Sequence, residues 1–484
     1  MGEILGHLNP QDVFNHFEEI CKYPRPSKKE EKIAEYVKSV GKRNNLQTLT
    51  DKFGNVLIRK PASPGMENLK TLCLQGHIDM VCEKNSDIDH DFETDPIEAY
   101  IDGDWVKANG TTLGADNGIG VASMLAVLES KSLVHGPLEA LFTVDEETGM
   151  TGAFALKAGM LKGDILLNLD SEDEGELYVG CAGGIDGNMT FNYASDPVPS
   201  GYITYAVNIK GLKGGHSGLD IHLGRGNSNF ILFRLLYAAS RNKDFRIAEV
   251  EGGNMRNAIP REASALVVVS KLQEAEWLKT LENTAKTIKN ELRSREPDLK
   301  IEIQKTSRAK RMMKKSFQKR LIGAIYACPN GVIRMSDDVP DLVETSTNLA
   351  IVKTDGKHVN MHCLLRSSVD SAKLALADRM RALFEMAGAK VEFKGSYPGW
   401  KPNMDSGIMK VMMKVYEKKY GTVPVVKAIH AGLECGLIGG VYPKLDMISF
   451  GPTIRHPHSP DEKVNIPSVE KFWAFLMETL KNVP

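Results

Sequence analysis

The first part of the chain alternates amphipathic segments with short runs that are apolar throughout. Between Pro10 and about Gly184 this pattern predicts one helix and three buried strands, at 30–44, 71–75, 138–144 and 164–169. Runs such as LEALFTV and DILLNL are apolar on both faces, which is typical of central strands that helices cover on both sides. We therefore predict an α/β fold for this part of the chain.

A second pattern begins after the glycine-rich segment CAGGIDG at 181–187. It predicts the order strand, helix, strand, strand, helix, strand, at 203–211, 226–241, 247–251, 263–271, 274–292 and 299–305. The order then nearly repeats as helix, strand, strand, helix, strand, at 315–327, 345–353, 358–366, 371–387 and 389–396. Two ferredoxin-like α+β halves are indicated by this βαββαβ-like order.

The α/β pattern resumes beyond Tyr397-Pro398-Gly399-Trp400, with a helix, a strand and a helix predicted at 406–420, 447–450 and 468–480. A single core stops growing near about 250–300 residues, so a chain of 484 residues is expected to have more than one domain. The His, Asp and Glu residues that could carry chemistry lie on both sides of the middle block. We therefore predict a discontinuous domain at 1–185 and 398–484, with a second domain at 186–397 inserted into it.

The composition is that of an ordinary globular protein, with 42% apolar and 25% charged residues. The 61 basic residues nearly balance 62 acidic ones, so nucleic acid is not expected as a partner. The N-terminal sequence lacks the pattern of a secretory signal, and no apolar run reaches the about 18 residues that a membrane span needs. The seven cysteines include no C-x-x-C pair, which favours reduced thiols in a cytoplasmic protein.

Candidate chemistry first occurs in LCLQGHIDMV, where His77 and Asp79 follow a predicted strand. Residues two apart project from the same face of a strand, so this imidazole and this carboxylate can address one point at the carboxyl edge of the sheet. A surface or capping role is the alternative for each residue, because H-x-D is common by chance.

Asp116 lies among glycines just before a predicted helix, in TTLGADNGIGVAS. Aspartate is a good helix cap, and capping alone would explain its presence. The neighbouring glycines permit close approach of the backbone, which is compatible with a crowded site.

Three consecutive acids, Asp145, Glu146 and Glu147, follow an apolar strand in LFTVDEETGM. Acids at a strand end are usually just solvated. Two adjacent carboxylates in a tight turn nevertheless point in different directions, so one can bind a metal while its neighbour takes a proton from water.

Asp170 follows the apolar strand in DILLNLDSEDEG, and His456 and His458 follow another in ISFGPTIRHPHSP. With the segments above, five predicted strand ends deliver His, Asp and Glu, which are the nitrogen and oxygen ligands of zinc. Ligands of α/β sheets gather at the carboxyl ends of the strands. The five segments therefore indicate one metal site.

In the order H-x-D, D-N-G, E-E, D and H-S-P-x-E, these segments resemble the motifs of the di-zinc peptidases related to carboxypeptidase G, aminoacylase and peptidase V. Within that group they are most similar to the aminoacyl-histidine dipeptidases, also called peptidase D or Xaa-His dipeptidases. The combination extends over nearly the whole chain. It implies a di-zinc aminopeptidase-like catalytic domain, discontinuous in sequence, with an inserted lid domain at 186–397.

For the metal centre, the resemblance implies two zinc ions per chain, with manganese or cobalt as alternatives. Asp116 would bridge both ions. His77 and Asp170 would bind one ion, and Glu147 and His458 would bind the other.

The resemblance also makes Glu146 the general base and Asp79 the carboxylate that orients His77. His456 competes with His458, but the family motif places the ligand directly before S-P, so His456 is expected to be structural. Two zincs can lower the pKa of a shared water from about 15.7 toward about 7, and Glu146 would pass its proton to the leaving nitrogen. No G-x-S-x-G motif suggests a serine nucleophile.

Four further residues are candidates for substrate binding. His216 in GLKGGHSG and Asn257 in EGGNMRNAIP match lid motifs of the group, in which the His approaches the oxyanion and the Asn holds a substrate carbonyl or carboxylate. Arg366 in NMHCLLRSS resembles the lid arginine that binds a C-terminal carboxylate, although without the resemblance a surface role is favoured. Glu434 in HAGLECGL is interpreted either as facing the substrate amine or as a buried or capping acid.

The function implied is hydrolysis of small peptides, with Xaa-His dipeptides such as β-alanyl-histidine as substrates. An N-acyl-amino-acid amidohydrolase and an aminopeptidase of broader specificity are alternatives with the same metal centre. A non-enzymatic binding module is disfavoured, because all five ligands and the base are present. The resemblance also implies a homodimer through the lid, and leaves open whether His216 serves its own chain or a neighbour's.

Overall fold

The computed structural model of the chain describes residues 4–241 and 244–484, which form two compact units. The first unit comprises Met1–Cys181, Trp400–Ala428 and Leu433–Pro484, and the second comprises Ala182–Gly399 and Ile429–Gly432. The second unit is therefore inserted into the first. The short segment Ile429–Gly432 was expected to belong to the C-terminal part of the first domain, and the structure assigns it to the second unit instead.

The first unit is built around an eight-stranded sheet whose four central strands run parallel. In spatial order the strands are Gln47–Thr50, Val56–Lys60, Leu138–Thr143, Leu72–His77, Ile165–Asn168, Asp446–Ser449, Glu176–Cys181 and Val425–Ile429. The third, fourth and fifth of these are buried at every residue, as their apolar sequences predict. Parallel strands place their carboxyl ends at one edge of the sheet, so the segments that follow them come together there.

Helices cover this sheet and supply most of the remaining core of the first unit. The helix that begins at Ala115 is apolar all round and buried along nearly its whole length, which is expected in the middle of a core. The helix that begins at Gln11 buries only one face, including Val13, Phe14 and Phe17. The described helices of this unit are Gln11–Ile20, Glu31–Arg43, Ala115–Glu129, Glu146–Gly149, Thr151–Ala155, Gly407–Tyr420, Glu434–Val441 and Ile466–Asn482.

A small four-stranded sheet in the first unit joins two distant parts of the sequence. Its strands, in spatial order, are Ile454–Arg455, Lys463–Asn465, Trp105–Ala108 and Ala99–Asp102. The two middle strands pair antiparallel with Val464 opposite Val106, and both valines are fully buried. This pairing holds together the segments that carry Asp116 and His458.

Among the described residues of the second unit, nine strands form one antiparallel sheet. Its main path is Lys300–Lys305, Tyr202–Lys210, Ala263–Ser270, Phe245–Gly252, Val343–Asp355, His358–Ser367, Gly183–Asn192 and Lys390–Tyr397, and Gly331–Met335 pairs with Val343–Asp355. Two short ladders join Ser195–Pro197 to Arg311–Met313 and Gly215–His216 to Ala258–Ile259. The helices are Ile221–Leu223, a 3-10 turn, and Ser228–Ser240, Glu274–Leu292, Lys315–Ala327 and Asp370–Met386.

The second unit contains two ferredoxin-like halves, and one is nested inside the other. The inner half contains the four strands of this sheet between Tyr202 and Lys305. Numbered along the chain, they lie side by side in the order 4-1-3-2, which is the ferredoxin-like order. The other half has the same order only if Gly183–Asn192 is its first strand. The prediction omitted this strand, because glycines at its start hide the apolar pattern. Gly183 is required there, since a Cβ would lie 2.5 Å from backbone atoms of the Tyr397–Gly399 segment.

Two expectations based on composition can be compared with the structure. All seven cysteines are free, and all except Cys82 are buried, in agreement with the prediction that no disulfide frame exists. None of the described helices is long and apolar enough to cross a membrane.

Candidate metal centre

The five predicted metal ligands come together in the first unit, and four of them follow its central parallel strands. His77 is the last residue of one strand, and Asp170 lies two residues beyond the end of another. Glu147 lies in the four-residue helix just after a third strand, and His458 lies beyond the fourth. The side chains meet at the carboxyl edge of the sheet, where the alternation of strands and helices predicts a ligand site.

Asp116 departs from the prediction of five strand ends, because it lies in the first turn of the helix Ala115–Glu129. The φ and ψ angles of Asp116 and Asn117 are not helical, so the regular helix begins after them. Both carboxylate oxygens of Asp116 face imidazoles. The side chain of Asp116 therefore does not cap the helix, although capping alone would explain an aspartate at this place.

The geometry divides the ligands into two groups that share Asp116. Asp116 Oδ1 lies 3.2 Å from His77 Nε2, and Oδ2 lies 3.2 Å from His458 Nε2. His77 Nε2 also lies 3.2 Å from Asp170 Oδ1, and His458 Nε2 lies 3.1 Å from Glu147 Oε2. One carboxylate thus stands between two sets of nitrogen and oxygen donors, as a bridging ligand must.

The donor atoms fit a pair of divalent cations. Ligand atoms of His77, Asp116 and Asp170 lie within 4.8 Å of one another, and so do those of Asp116, Glu147 and His458. Glu147 Oε1 is buried and has no hydrogen-bond partner among the residues that the structure describes, and buried Asp170 Oδ1 has only its contact with His77. Buried carboxylate oxygens without partners are costly unless a cation compensates them, and imidazole with carboxylate is a donor set that zinc accepts.

The pKa shifts within the cluster also favour bound cations. Burial acts to raise the pKa of Asp116, but hydrogen bonds from His458 and His77 outweigh it and lower this pKa. Burial raises the pKa of Asp170 to about 6. Burial acts to lower the pKa of His77, yet the carboxylates of Asp170, Asp116 and Asp79 raise it well above the ordinary value. The cluster therefore stabilises added positive charge, which divalent cations also supply.

Asp79 connects the His77 strand to the turn that carries Glu146 and Glu147. Its Oδ1 lies 3.3 Å from His77 Nδ1 and accepts the backbone N–H of Glu146 at 3.0 Å. Its Oδ2 accepts the backbone N–H of Glu147 at 3.2 Å and the Ser27 hydroxyl at 2.8 Å. Asp79 therefore contacts the ring of one predicted ligand and holds the backbone of another, an arrangement common for carboxylates behind metal-bound histidines.

Glu146 has a carboxylate beside the predicted ligands. One of its oxygens lies within 4.8 Å of the ligand atoms of His77 and Glu147. Burial raises the pKa of Glu146 well above the ordinary value, and the nearby carboxylates of Asp170, Glu147 and Glu434 raise it further, against the effect of His77. Such a carboxylate can take up a proton at the metal centre.

Two residues that the sequence did not single out hold the loop before Asp116. The Glu462 carboxylate accepts four consecutive backbone N–H groups that end at Asp116. The Arg25 guanidinium donates to the carbonyl of Gly114 at 2.6 Å. Glu462 is the glutamate of the H-S-P-x-E motif, so the sequence carried a signal for it. Arg25 belongs to none of the five motifs.

Asn117 links the Asp116 loop to the Asp170 strand. Its amide donates to the carbonyl of Leu169, the residue before Asp170, at 2.6 Å. The buried amide also explains two glycines, because a Cβ on Gly76 or Gly120 would lie 2.3 or 2.5 Å from Asn117 Oδ1. The D-N-G motif therefore combines a ligand with the residue that anchors it.

Glu434 is fully buried in the first turn of its helix. One carboxylate oxygen accepts hydrogen bonds from Gln75 and Thr143 at 2.6 Å each, and Gln75 accepts another from Asn168 at 2.6 Å. Burial raises the pKa of Glu434 to about 7. This geometry is that of a buried acid, and contact between Glu434 and a substrate amine stays a prediction.

His456 is exposed and belongs to none of the ligand groups found among the described residues.

In the second unit, one ring nitrogen of His216 is held by backbone hydrogen bonds. Its Nδ1 accepts the backbone N–H groups of Gly218 and Leu219 at 3.2 and 3.0 Å, so the ring proton lies on Nε2. Burial lowers the pKa of His216, and the Arg366 guanidinium lowers it further. The ring is thus a neutral hydrogen-bond donor.

Asn257 lies beside His216 in the same unit. The short ladder places His216 opposite Ala258, and the backbone carbonyl of Asn257 accepts the N–H of Ser217 at 2.7 Å. The Asn348 amide donates to the carbonyls on both sides, those of Arg256 and Ala258. Asn257 itself is exposed, so its backbone is held while its side chain is accessible.

Arg366 is buried, with 6% of its surface exposed, and not at the surface as spacing alone would suggest. Its Nη1 donates to the Tyr397 hydroxyl at 3.3 Å, and its Nε has no hydrogen-bond partner in the described residues. Ser346 lies opposite Arg366 on the neighbouring strand, and its hydroxyl lies 2.7 Å from His430 Nε2. Burial, with a smaller contribution from the charge of Arg366, lowers the pKa of His430 to about 3, so His430 is neutral here. The sequence interpretation did not single out His430.

The family of the chain follows from comparison with known proteins. The model of peptidase family M20/M25/M40 matches residues 73–482, a range that contains all five ligands. The chain belongs to this family. The predicted family, α/β fold class and enzyme class, a hydrolase of peptide bonds, are confirmed.

Individual relatives extend the comparison. The cytosol non-specific dipeptidase of Escherichia coli (strain K12) is 48% identical over 481 residues, covering 99% of each chain. The crystal structure of aminoacylhistidine dipeptidase from Vibrio alginolyticus is similar with a TM-score of 0.94 at 50% identity, covering 99% of this chain and 98% of that one. Aminopeptidase PepT from Bacillus cereus, at 17% identity and a TM-score of 0.58 over 98% of this chain and 99% of that one, shares the fold.

The contacts of Asp79 generate a test of its role. In Asp79→Asn, an amide group replaces one of the two oxygens that accept backbone N–H groups, so the turn of Glu146 and Glu147 loses at least one hydrogen bond. We expect metal affinity to fall by about 10–100-fold, measured by competition with a chromogenic chelator. Asp446→Asn is the control. Asp446 also accepts a backbone N–H, but it is the first residue of its strand and so lies at the end opposite to the predicted ligands. Equal affinities in both variants would contradict the assignment.

Proposed function

We propose that this chain is a cytosolic dipeptidase that binds two zinc ions per chain, with manganese or cobalt as alternatives, and hydrolyses Xaa-His dipeptides such as β-alanyl-histidine. The observation that carries the proposal is the carboxylate of Asp116, whose oxygens face His77 and His458 at 3.2 Å each. The Nε2 atom of His77 also contacts the carboxylate of Asp170, and that of His458 contacts the carboxylate of Glu147. Two relatives that match nearly the whole chain have dipeptidase names, and one is named for the cytosol.

The chain's own residues supply the proton transfers that peptide hydrolysis needs. When bound, the two divalent ions supply Lewis-acid activation of the attacking water and the substrate carbonyl. Glu146 accepts the proton of that water and passes it to the leaving nitrogen. The raised pKa of Glu146 allows it to hold the proton between these transfers. Asp79 holds the backbone N–H of Glu146 and thereby keeps the base next to His77.

Base and ligand can be separated by two variants of adjacent residues. Glu146→Ala should lower kcat by about 10²–10⁴-fold while the protein still binds both metal ions. Glu147→Ala should lose metal, because Glu147 Oε2 is one of the donors around His458. Metal content by mass spectrometry and kcat, measured on the same preparations, distinguish the two roles. Equal metal loss in both variants would mean that the base and the ligand are assigned wrongly.

The proposal assigns recognition of the substrate's polar groups to the second unit. His216 would donate its Nε2 proton to the oxyanion, a contribution that is large in acyl transfer. The exposed amide of Asn257 would hold a substrate carbonyl or carboxylate. Arg366 would bind the C-terminal carboxylate, and its buried Nε without a partner supports this role, since a guanidinium binds a carboxylate with two parallel hydrogen bonds.

Capture of the terminal carboxylate makes substrate length a test. A tripeptide would place its carboxylate beyond Arg366 and leave a charged donor unpaired, which costs about 1–3 kcal/mol, or about one to two powers of ten in rate. We expect kcat/KM to be higher for β-alanyl-histidine, glycyl-histidine and an aliphatic dipeptide than for a histidine-ending tripeptide. Arg366→Lys, which keeps the charge, should lose most of this difference. Comparable rates on dipeptide and tripeptide would contradict the proposal and favour a broad aminopeptidase.

The amidohydrolase alternative is distinguished in the same series of substrates. An N-acetyl amino acid has the terminal carboxylate but no free amine, and we expect it to be a poor substrate beside the unblocked dipeptide. Glu434→Gln tests whether Glu434 contributes to this preference. If the preference is unchanged in that variant, Glu434 does not bind the amine and its role is confined to the buried hydrogen bonds with Gln75 and Thr143.

We also propose a homodimer formed through the second unit. Within the described residues, the strand Gly331–Met335 pairs on one side only and exposes Val332, Ile333 and Met335. Natural proteins usually cover such apolar edges.

Light scattering should give twice the chain mass of 53.3 kDa, and Ile333→Lys should give single chains. A wild-type protein with the mass of one chain would contradict this proposal.

A further inference from the structure

The loop that ends at the bridging aspartate is held through its backbone by one buried carboxylate. Glu462 Oε2 accepts the N–H groups of Leu113 and Gly114 at 2.8 Å each, and Oε1 accepts those of Ala115 and Asp116 at 2.8 and 3.2 Å. Only 2% of the Glu462 surface is exposed. These hydrogen bonds are charge-assisted, and the three from Leu113, Gly114 and Ala115 are buried, which makes them stronger than neutral ones in water.

A buried guanidinium holds the carbonyl side of the same loop and joins it to the His77 strand. Arg25, which is also 2% exposed, donates from Nη2 to the carbonyl of Gly114 at 2.6 Å. From Nη1 it donates to the carbonyl of Asp79 at 3.0 Å. Arg25 therefore connects the segment just after His77 to the segment just before Asp116, although it is distant from both in sequence.

The glycines around Asp116 are explained by the space that Arg25 occupies. Gly114 has a φ of 69°, in the left-handed region that favours glycine, and a Cβ there would lie 2.2 Å from Arg25 Nη2. A Cβ on Gly118 would lie 2.9 Å from Phe17 Cε2 and 3.0 Å from the same Arg25 atom. The glycines that flank the aspartate in G-A-D-N-G thus make room for a side chain that lies outside the motif.

We propose that Arg25 and Glu462 are positioning residues that hold the Asp116 loop in its metal-bridging geometry before any metal binds. The proposal rests on the proposed metal centre, because it assigns these residues a role through Asp116. Asp116 lies close to Asp170 and Glu147, and like charges in a buried cluster repel. A loop without these anchors would relax away from that repulsion, whereas the anchored loop keeps both oxygens of Asp116 directed at the two histidines.

Three variants test the proposal. Glu462→Gln replaces one accepting oxygen with an amide group that faces backbone N–H groups. Arg25→Lys keeps the charge but loses the fork that reaches two carbonyls. Glu139→Gln is the matched control, because Glu139 is likewise buried in the first unit and accepts two backbone N–H groups and an arginine, but at the start of its strand, at the far edge of the sheet.

Amide hydrogen exchange of residues 113–116 is the first measurement, on full-length protein as purified and after treatment with a chelator. In the chelator-treated protein, we expect these amides to exchange at least about tenfold faster in Glu462→Gln and Arg25→Lys than in the wild type, and no faster in Glu139→Gln. The second measurement is zinc affinity, which we expect to fall by about 10–100-fold in the first two variants only. Excess zinc should restore most of kcat, because the base Glu146 is untouched.

The outcomes separate this proposal from the proposed function. Wild-type exchange rates at residues 113–116 in both variants would overturn it, and so would an affinity loss no greater than that of Glu139→Gln. If Glu462→Gln does not fold, the same comparison is made with Arg25→Lys alone, whose failure to differ from Glu139→Gln would also overturn it. A wild-type protein that cleaves no dipeptide would contradict the proposed function, while the exchange comparison in chelator-treated protein would still decide the role of the two anchors.

Discussion

Mutual repulsion among carboxylates is the constraint around which the first unit is organised. Asp116, Glu147 and Asp170 converge on two imidazoles, and such a cluster persists only where positive charge compensates it and the backbone is held against relaxation. The parallel sheet provides the first restraint, because it ends the strands of His77 and Asp170 at one edge. Bound cations would supply this positive charge, and the sheet already holds their predicted ligands in place.

Buried polar side chains provide the second restraint, since each joins two ligand segments. Asp79 joins the His77 strand to the turn of Glu147, and Asn117 joins the Asp116 loop to the residue before Asp170. Glu462 joins the segment after His458 to the Asp116 loop. Breaking any one of these links would free a ligand segment, so the five ligands are expected to respond together and not one at a time.

The sequence predicted the parts of this arrangement that depend on local pattern. Apolar runs identified the central strands, and His77 and Asp170 lie at strand ends, as expected from the rule that ligands gather there. Asp116 could not be placed this way, because its carboxylate is directed by a non-helical turn. Arg25 was not predictable, since its role depends on carbonyls from two distant segments. The strand Gly183–Asn192 was missed because the glycines at its start hide its apolar pattern.

The sharing of Asp116 by two metal ions is the central claim, and metal content per chain tests it most directly. Protein dialysed against zinc and then against metal-free buffer should contain two zinc ions per chain in the wild type. Asp170→Ala should retain about one ion, whereas Asp116→Ala should retain neither, because both ions lose a ligand at once. A wild-type content of one ion or fewer, or an Asp116→Ala protein that keeps both ions, would contradict the account.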